Sequence, residues 1–313
     1  MQWISAERIA EVLTYPALVD WLDQAHRENS ATMDDLLLSY STDAGSQNHF
    51  LLRAAWQEQM GVGAKLVTVF PLNRNVPSVQ GVYLLFSAED GRLLAALDGT
   101  ALTGWKTAAD SALATRRLAR ADVRELLMVG AGAMAPHLVR AHLAVRPGLE
   151  RVSLWNRTRA RAERLAQQLR AEGMNAEVVN DLTQAVVRAD VICCATMATE
   201  PLIRGVWLRP GVHLDLVGAF TPEMREVDDS AVTRARIFVD CRRTAIVPIG
   251  ELAIPLRNGL IAGSAVLADH FQLSRREHPG RTSAEEITLF KNGGGGHLDL
   301  MVAAFILRQA GAS

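Results

Sequence analysis

Six consecutive residues, Gly130-Ala131-Gly132-Ala133-Met134-Ala135, follow the apolar run Leu126-Leu127-Met128-Val129 and precede a stretch of helix formers. In a GxGxxA turn between strand and helix, the first glycine permits a tight turn and the second lets the backbone approach a pyrophosphate. The small last residue lets the helix pack on the strand. The unpaired N–H groups and positive dipole end at the start of that helix then receive the phosphates. Pro136 suits such a first turn, where no intrahelical N–H is needed. Because the motif lies between a strand and a helix, it predicts a dinucleotide site, with Gly130, Ala131, Gly132, Ala133 and Met134 as its cradle.

Which dinucleotide should be legible at the end of the next strand, where an acidic residue would bond the ribose hydroxyls of NAD. The sequence there is Trp155-Asn156-Arg157-Thr158. Asn156 removes a carboxylate that would repel a 2′-phosphate, and Arg157 can hold that phosphate through charge-assisted bonds. NADP(H) is therefore favoured and NAD(H) is the alternative. Asn156, Arg157 and Thr158 are the discriminating contacts. Thr196 and Gly218, which follow the strands expected at 191–195 and 213–217, complete the expected cofactor set.

These residues need a framework to position them. From residue 121 onward the sequence alternates strand, turn and helix. Strands are expected at 125–129, 151–155, 176–179, 191–195, 213–217 and 237–240, with helices at 134–145 and 159–172 and a helix capped by Asp181. Such alternation implies a doubly wound parallel sheet, a Rossmann domain over 121–287. Earlier in the chain, residues 5–23 have helical spacing interrupted by Pro16. Short strands follow at 49–56, 65–70, 81–86 and 92–97, with Asp90-Gly91 as a hairpin turn between the last two. A connecting helix is expected over 107–120. The last segment, with its glycine run from Gly293 to Gly296 and a helix from His297, is expected to return to the first domain. That gives a discontinuous α+β substrate and dimerisation domain over 1–120 and 288–313.

Bulk properties narrow the partners. A net charge of −1 with no basic run argues against nucleic acid and anionic membrane, leaving a small molecule as the expected partner. The three cysteines have no CxxC spacing, which fits a reducing, cytoplasmic setting, and no window is apolar enough for a membrane span. The histidines show no metal-ligand spacing, so no metal is expected.

Five blocks, taken in order, resemble the ornithine cyclodeaminase and mu-crystallin family over nearly the whole chain. The first is Gly63-Ala64-Lys65-Leu66-Val67-Thr68. The second is Leu97-Asp98-Gly99-Thr100 with Leu102-Thr103-Gly104-Trp105-Lys106-Thr107-Ala108-Ala109, and the third is 129–135. The fourth joins Val217-Gly218-Ala219-Phe220-Thr221-Pro222 to Arg225-Glu226-Val227-Asp228. The fifth runs from Thr288-Leu289-Phe290-Lys291 to Asp299. The resemblance implies hydride exchange between a nicotinamide and the α-carbon of a small amino or imino acid, in a homodimer.

It further implies that Lys65 is the active-site lysine and that Lys106 holds the substrate carboxylate where an arginine is expected. Lysine keeps the charge and loses the bidentate fork. Both should face one pocket at the nicotinamide end of the cofactor. A further arginine expected before the Leu51-Leu52-Arg53 strand has no counterpart in 41–48, and Arg53 is the substitute. Phe220 stands where the cyclodeaminases carry an aspartate that assists loss of ammonia, and Asp228 reads as a helix cap. The resulting expectation is NADPH-dependent reduction of a cyclic α-imino acid of the Δ1-pyrroline-2-carboxylate type to an L-amino acid such as proline. The alternatives are ornithine cyclodeamination, an alanine-dehydrogenase-like activity, and dinucleotide-dependent ligand binding without turnover.

Overall fold

The computed structural model describes residues 2–28, 31–42 and 47–311; positions 43–46, within the stretch that lacks the expected arginine, and Ala312 lie outside them. The chain divides into one unit of Met1–Lys106 with Gly295–Ser313 and another of Thr107–Gly294.

The first unit holds a six-stranded sheet in the order β1-β6-β5-β4-β3-β2. Its strands are β1 (Gln2–Ile4), β2 (Thr32–Ser41), β3 (Gln47–Gln57), β4 (Gly61–Val69), β5 (Val79–Phe86) and β6 (Leu93–Asp98). The pairing is antiparallel from β2 through β6, and β1 joins β6 in parallel. Pro16 divides the first helical stretch as expected, into Ala6–Val12 and Tyr15–Ala25, because it is tolerated only in the first turn of the second helix. Neither β1 nor β2 was anticipated. β1 has three residues, and β2 carries Asp34-Asp35 and then Leu36-Leu37-Leu38, a run without period-2 alternation because both faces of this edge strand are largely exposed.

One face of this sheet is set by registry. Asp35, Arg53, Lys65, Tyr83, Leu97 and Ile4 lie directly opposite one another on successive strands, so their side chains share a face. Along β4 the same face shows as burial of Gly61, Gly63 and Lys65 against half-burial of Val62, Ala64 and Leu66. The C-terminal helix, Gly296–Gly311, packs on β3, β4 and β5. Its first residue is a glycine because a Cβ there would lie 2.9 Å from the Ala54 carbonyl oxygen.

The second unit holds eight parallel strands in the order β13-β12-β14-β11-β10-β7-β8-β9. They are β7 (Glu125–Val129), β8 (Arg151–Trp155), β9 (Ala176–Val178), β10 (Val191–Cys194), β11 (His213–Leu216), β12 (Arg236–Val239), β13 (Val266–Asp269) and β14 (Thr288–Lys291). The central strands β7 and β10 read as largely apolar runs because both faces are buried. From β7 the chain winds outward through β8 and β9, then returns to start the other half at β10. The strand order therefore reverses between β7 and β10, where an open α/β sheet leaves a crevice at its carboxyl end.

Two boundaries differ from the sequence reading. The sequence places the return to the first domain at residue 288, yet Thr288–Lys291 lies inside the parallel sheet between β11 and β12. This four-residue strand is too short to register a period, and its terminal lysine disguises a segment that is wholly buried. The connecting helix begins at Gly99 and runs to Leu118, so the boundary between units falls within it. Asp98 starts the helix by accepting from the Thr100 and Ala101 N–H groups at 3.0 and 2.8 Å.

Candidate functional site

In the first unit, chemistry-bearing side chains gather where the helix Gly99–Leu118 and the C-terminal helix meet the Lys65 face of the sheet. Thr103 and Lys106 lie one turn apart on the first helix, and Asp299 lies in the first turn of the second. Lys65 Nζ donates to Thr103 Oγ1 at 2.6 Å, and the Thr103 hydroxyl in turn donates to the Gly99 carbonyl at 2.6 Å. Asp299 Oδ1 lies 3.4 Å from Lys65 Nζ and 3.1 Å from Lys106 Nζ. Lys65, Lys106 and Asp299 are all buried.

Taking these groups out of water changes their acidity. Burial pulls the Lys65 ammonium down to about 8, against the opposing pull of Asp299, while Lys106 and Arg53 add to the decrease. Burial works to raise Asp299, yet Lys106, Lys65 and Arg53 outweigh it and hold its carboxyl below the usual range. Burial, followed by the Asp299 charge, pushes the Tyr83 phenol well above its ordinary value, so it remains a neutral donor. Gly63 makes room for that ring, since a Cβ there would lie 1.8 Å from Tyr83 Oη. Neither Tyr83 Oη nor Asp299 Oδ2 has a hydrogen-bond partner among the described residues. Arg53 stands beside Lys65 in the ladder, with its guanidinium committed to Asp35 Oδ2 at 2.9 and 3.0 Å.

In the second unit, a cleft at the strand-order reversal is lined by Gly130, Ala131, Gly132, Asn156, Arg157, Thr158, Thr196 and neighbours that include Arg161. Gly130 has a φ of +108°, and a Cβ there would lie 2.5 Å from the Ala195 carbonyl oxygen, so this turn requires glycine. A Cβ on Gly132 would meet nothing within 4 Å, which leaves open the approach a pyrophosphate needs. The backbone thus fits the dinucleotide that the motif predicts.

Asn156 has a part that its sequence position did not disclose. Its Oδ1 accepts from Ala131 N at 3.1 Å and its Nδ2 donates to the Thr158 carbonyl at 2.8 Å, so it braces the glycine turn against the discriminating loop. Arg157 and Arg161 make no ion pair among the described residues, whereas Arg159 is tied to Glu163. Ala133 lines an adjoining groove with Pro136, Arg161 and Arg164. Met134 is the N-cap of the helix Ala135–Val145 and, like Gly218, lies outside the cleft lining.

Gly218 and Thr196 are joined by a residue the sequence did not single out. Glu226 Oε1 accepts from Thr196 N at 2.7 Å and from Thr196 Oγ1 at 2.8 Å, and its Oε2 accepts from Gly218 N at 2.7 Å. The Glu251 carboxylate in turn accepts from the backbone N–H groups of Glu226 and Val227 at 2.9 and 3.1 Å. Asp228 caps the helix Asp229–Arg234, accepting from Ala231 N at 2.9 Å and Gly205 N at 2.8 Å. Every carboxylate from 226 to 228 is therefore occupied by backbone, and Phe220 in the preceding loop is 59% exposed. Elsewhere in this unit, His142, Cys193 and Asp215 converge from separate elements within metal-binding reach, a grouping that spacing could not disclose. Their atoms are spent on one another: Asp215 accepts from Ser111 at 2.9 Å and Cys193 at 3.1 Å, and contacts His142 at 3.0 Å.

The profile of the Ornithine cyclodeaminase/mu-crystallin family matches residues 5–312. A Δ1-pyrroline-2-carboxylate reductase from Paracoccus denitrificans is 47% identical over 95% of this chain and 93% of its own length. The structure of Thermococcus litoralis Δ1-pyrroline-2-carboxylate reductase in complex with NADH and L-proline superposes with a TM-score of 0.91 at 26% identity, covering 100% of this chain and 98% of that one. The iminosuccinate reductase of Paracoccus denitrificans in complex with NAD+ superposes with a TM-score of 0.89 at 27% identity, covering 100% and 97%.

Proposed function

Because this chain belongs to the ornithine cyclodeaminase/mu-crystallin family, we infer that it is an NAD(P)H-dependent oxidoreductase that reduces Δ1-pyrroline-2-carboxylate to proline. The observation that carries this reading is the Lys65–Asp299–Lys106 cluster. Reduction of a cyclic imine needs a proton for nitrogen and a cation for the carboxylate, and two buried ammonium groups sharing one carboxylate meet both needs. With Arg53 and Asp35 included, the cluster has three cations and two carboxylates, leaving one positive charge for a monoanionic substrate.

Lys65 is the proton donor in this reading: an ammonium that ionises at about 8 is charged at neutral pH and gives up its proton readily. Lys106 receives the carboxylate. A reduced dinucleotide held at the Gly130-Ala131-Gly132 turn would supply a hydride for the imine carbon. As that carbon takes the hydride, the nitrogen takes the proton from Lys65, the C=N bond becomes a C–N single bond, and solvent restores the ammonium. The unit of residues 1–106 and 295–313 accordingly handles the substrate, and residues 107–294 hold the dinucleotide at Gly130, Ala131, Gly132 and Thr196. Arg157 and Arg161, which make no ion pair among the described residues, favour NADP(H) over NAD(H). The apolar edge strand, with Leu36, Leu37, Leu38 and Tyr40 more than half exposed, supports a homodimer.

Ornithine cyclodeamination is the poorer fit. Elimination of ammonia needs a group that can take and return a proton, and Glu226 and Asp228 are locked by backbone while Asp299 is held ionised by its lysines. The test follows absorbance at the reduced-nicotinamide band with Δ1-pyrroline-2-carboxylate, Δ1-piperideine-2-carboxylate, pyruvate plus ammonia, and L-ornithine in parallel. Fastest cofactor oxidation with the pyrroline is expected. Ammonia release from ornithine at equal or greater efficiency overturns the reading.

A further inference from the structure

The imine-reductase reading assigns work to two lysines and leaves unexplained why one buried carboxylate oxygen touches both. A hydrophobic helix, His297-Leu298-Asp299-Leu300-Met301-Val302, carries this acid toward the sheet, and Asp299 is fully buried. Burying an acid at a helix interface is costly unless charge and hydrogen bonds compensate it, and the compensation here comes from Lys65 and Lys106.

We propose that Asp299 is a positioning residue for the reaction, gripping both ammonium groups through Oδ1 so that Lys65 is aimed as proton donor and Lys106 is placed to receive the substrate carboxylate. This rests on the imine-reductase reading for what the lysines do. The grip itself is geometric. Lys65 is fixed from one side by Thr103 at 2.6 Å and from another by Asp299 at 3.4 Å, leaving its remaining proton the one free to be delivered. Lys106, on the same helix face as Thr103, is held by the same oxygen at 3.1 Å.

The charged and titratable groups facing Lys65 come from every element packed on it. Arg53 stands on β3 with Asp35 behind it, Tyr83 on β5, Lys106 on the helix Gly99–Leu118, and Asp299 on the C-terminal helix. His297, two residues before Asp299, is directed at Met33 Sδ at 3.2 Å. Of these, Asp299 is the group that favours the charged form of Lys65, while Lys106 and Arg53 disfavour it. Removing the carboxylate therefore makes Lys65 a stronger acid that is less often protonated, and it strengthens the positive field on the substrate carboxylate. A residue needed only for packing would produce neither effect.

The chain contains three lysines, Lys65, Lys106 and Lys291, which makes a direct measurement practicable. In protein labelled with 13C at the lysine ε-carbon, three side-chain signals are followed against pH, and that of Lys65 is identified by its loss in Lys65→Met. The wild-type midpoint is expected at about 8. In Asp299→Asn it should fall by about one unit or more, and in Asp299→Glu it should stay near the wild-type value. In turnover of Δ1-pyrroline-2-carboxylate at pH 8, a one-unit fall leaves about one-fifth of the wild-type protonated fraction, so kcat should fall about fivefold while KM falls or holds. If Asp299→Asn does not fold, Asp299→Ser is titrated in its place. A Lys65 midpoint unmoved by loss of the carboxylate, or shifted equally by Asp299→Glu, overturns the proposal. A wild-type enzyme that does not reduce the imino acid sinks the functional reading instead, and the lysine titration still judges Asp299.

Discussion

The pH dependence of imine reduction offers the sharpest test of Lys65. Its ammonium is depressed to about 8 chiefly by burial, so it is about nine-tenths protonated at pH 7 and about one-tenth at pH 9. If its proton goes to the imine nitrogen, kcat/KM should fall about tenfold across that interval. The substrate imine titrates as well, so the wild-type profile alone does not identify the group. Lys65→Arg separates the two, because a guanidinium stays charged throughout and cannot serve as the donor at these pH values. The variant should be slow, and any pH limb it retains belongs to the substrate. Stopped-flow oxidation of the reduced dinucleotide at saturating cofactor, from pH 6.5 to 9.5, gives both curves. Superimposable profiles for wild type and Lys65→Arg would remove Lys65 from the proton transfer. The same ionisation has a stability consequence with a definite sign. The folded-state value lies below the unfolded one, so keeping Lys65 charged costs roughly 3 kcal/mol below pH 8, a cost relieved as pH rises from about 8 toward 10.5.

Other consequences can be measured separately. Arg157→Ala should weaken NADPH binding by about 1.5 to 3 kcal/mol and leave NADH nearly unchanged in a fluorescence titration; equal losses for both would remove the preference for the 2′-phosphate. L-Ornithine with catalytic NAD+ should release little or no ammonia, since Phe220 and the backbone-bound carboxylates beyond it offer no acid–base group. Release matching the imino-acid rate would mean that another residue has taken that role. Glu226→Gln replaces one acceptor oxygen with a donor facing the N–H groups of Thr196 or Gly218. It should cost about 1 to 3 kcal/mol in urea denaturation, and an unchanged midpoint would show that the clamp is dispensable.

The parallel sheet was largely legible because its signals are local. Buried strands such as Glu125–Val129 are short apolar runs, and the glycines between strand and helix are dictated by backbone geometry at one turn. What escaped is what depends on distant chain. Thr288–Lys291 belongs to the sheet only because β11 and β12 flank it, and nothing within those four residues says so. The edge strand Thr32–Ser41 has little burial to impose an alternation. At the site, Lys65 and Lys106 were accessible only through resemblance, since a single lysine in a strand or helix usually faces water. Asp299 appeared as the last residue of a block, although an acid within an apolar helix was itself a signal of buried counter-charge. Glu226 lay in the charged run 225–229, where composition suggests a solvated loop; only the fold shows that its carboxylate is spent on Thr196 and Gly218.

The distribution of lysine connects these observations. All three lysines are buried, while arginine supplies the remaining 30 of the 33 basic side chains. Lysine is thus used where a compact ammonium is enclosed by protein, and arginine supplies the basic surface. Lys291, the third, donates to the Leu216 carbonyl at 2.8 Å, at the end of the strand that leads into the Gly218 loop. For Lys65 the proposed role of proton donor accounts for the choice, because a guanidinium does not release a proton in the working pH range. For Lys106 it follows from space and charge. A planar fork would bind a carboxylate in two places, yet here the cation must also share one oxygen of Asp299 with Lys65. A tetrahedral ammonium can direct one proton to Asp299 and keep two for the substrate carboxylate. Lys106→Arg should therefore raise KM for the imino acid and disturb the Lys65 titration together, because a guanidinium competing for Asp299 displaces the first lysine as well as the substrate. A variant that binds the imino acid more tightly and leaves Lys65 titrating at about 8 would show that the two lysines act independently.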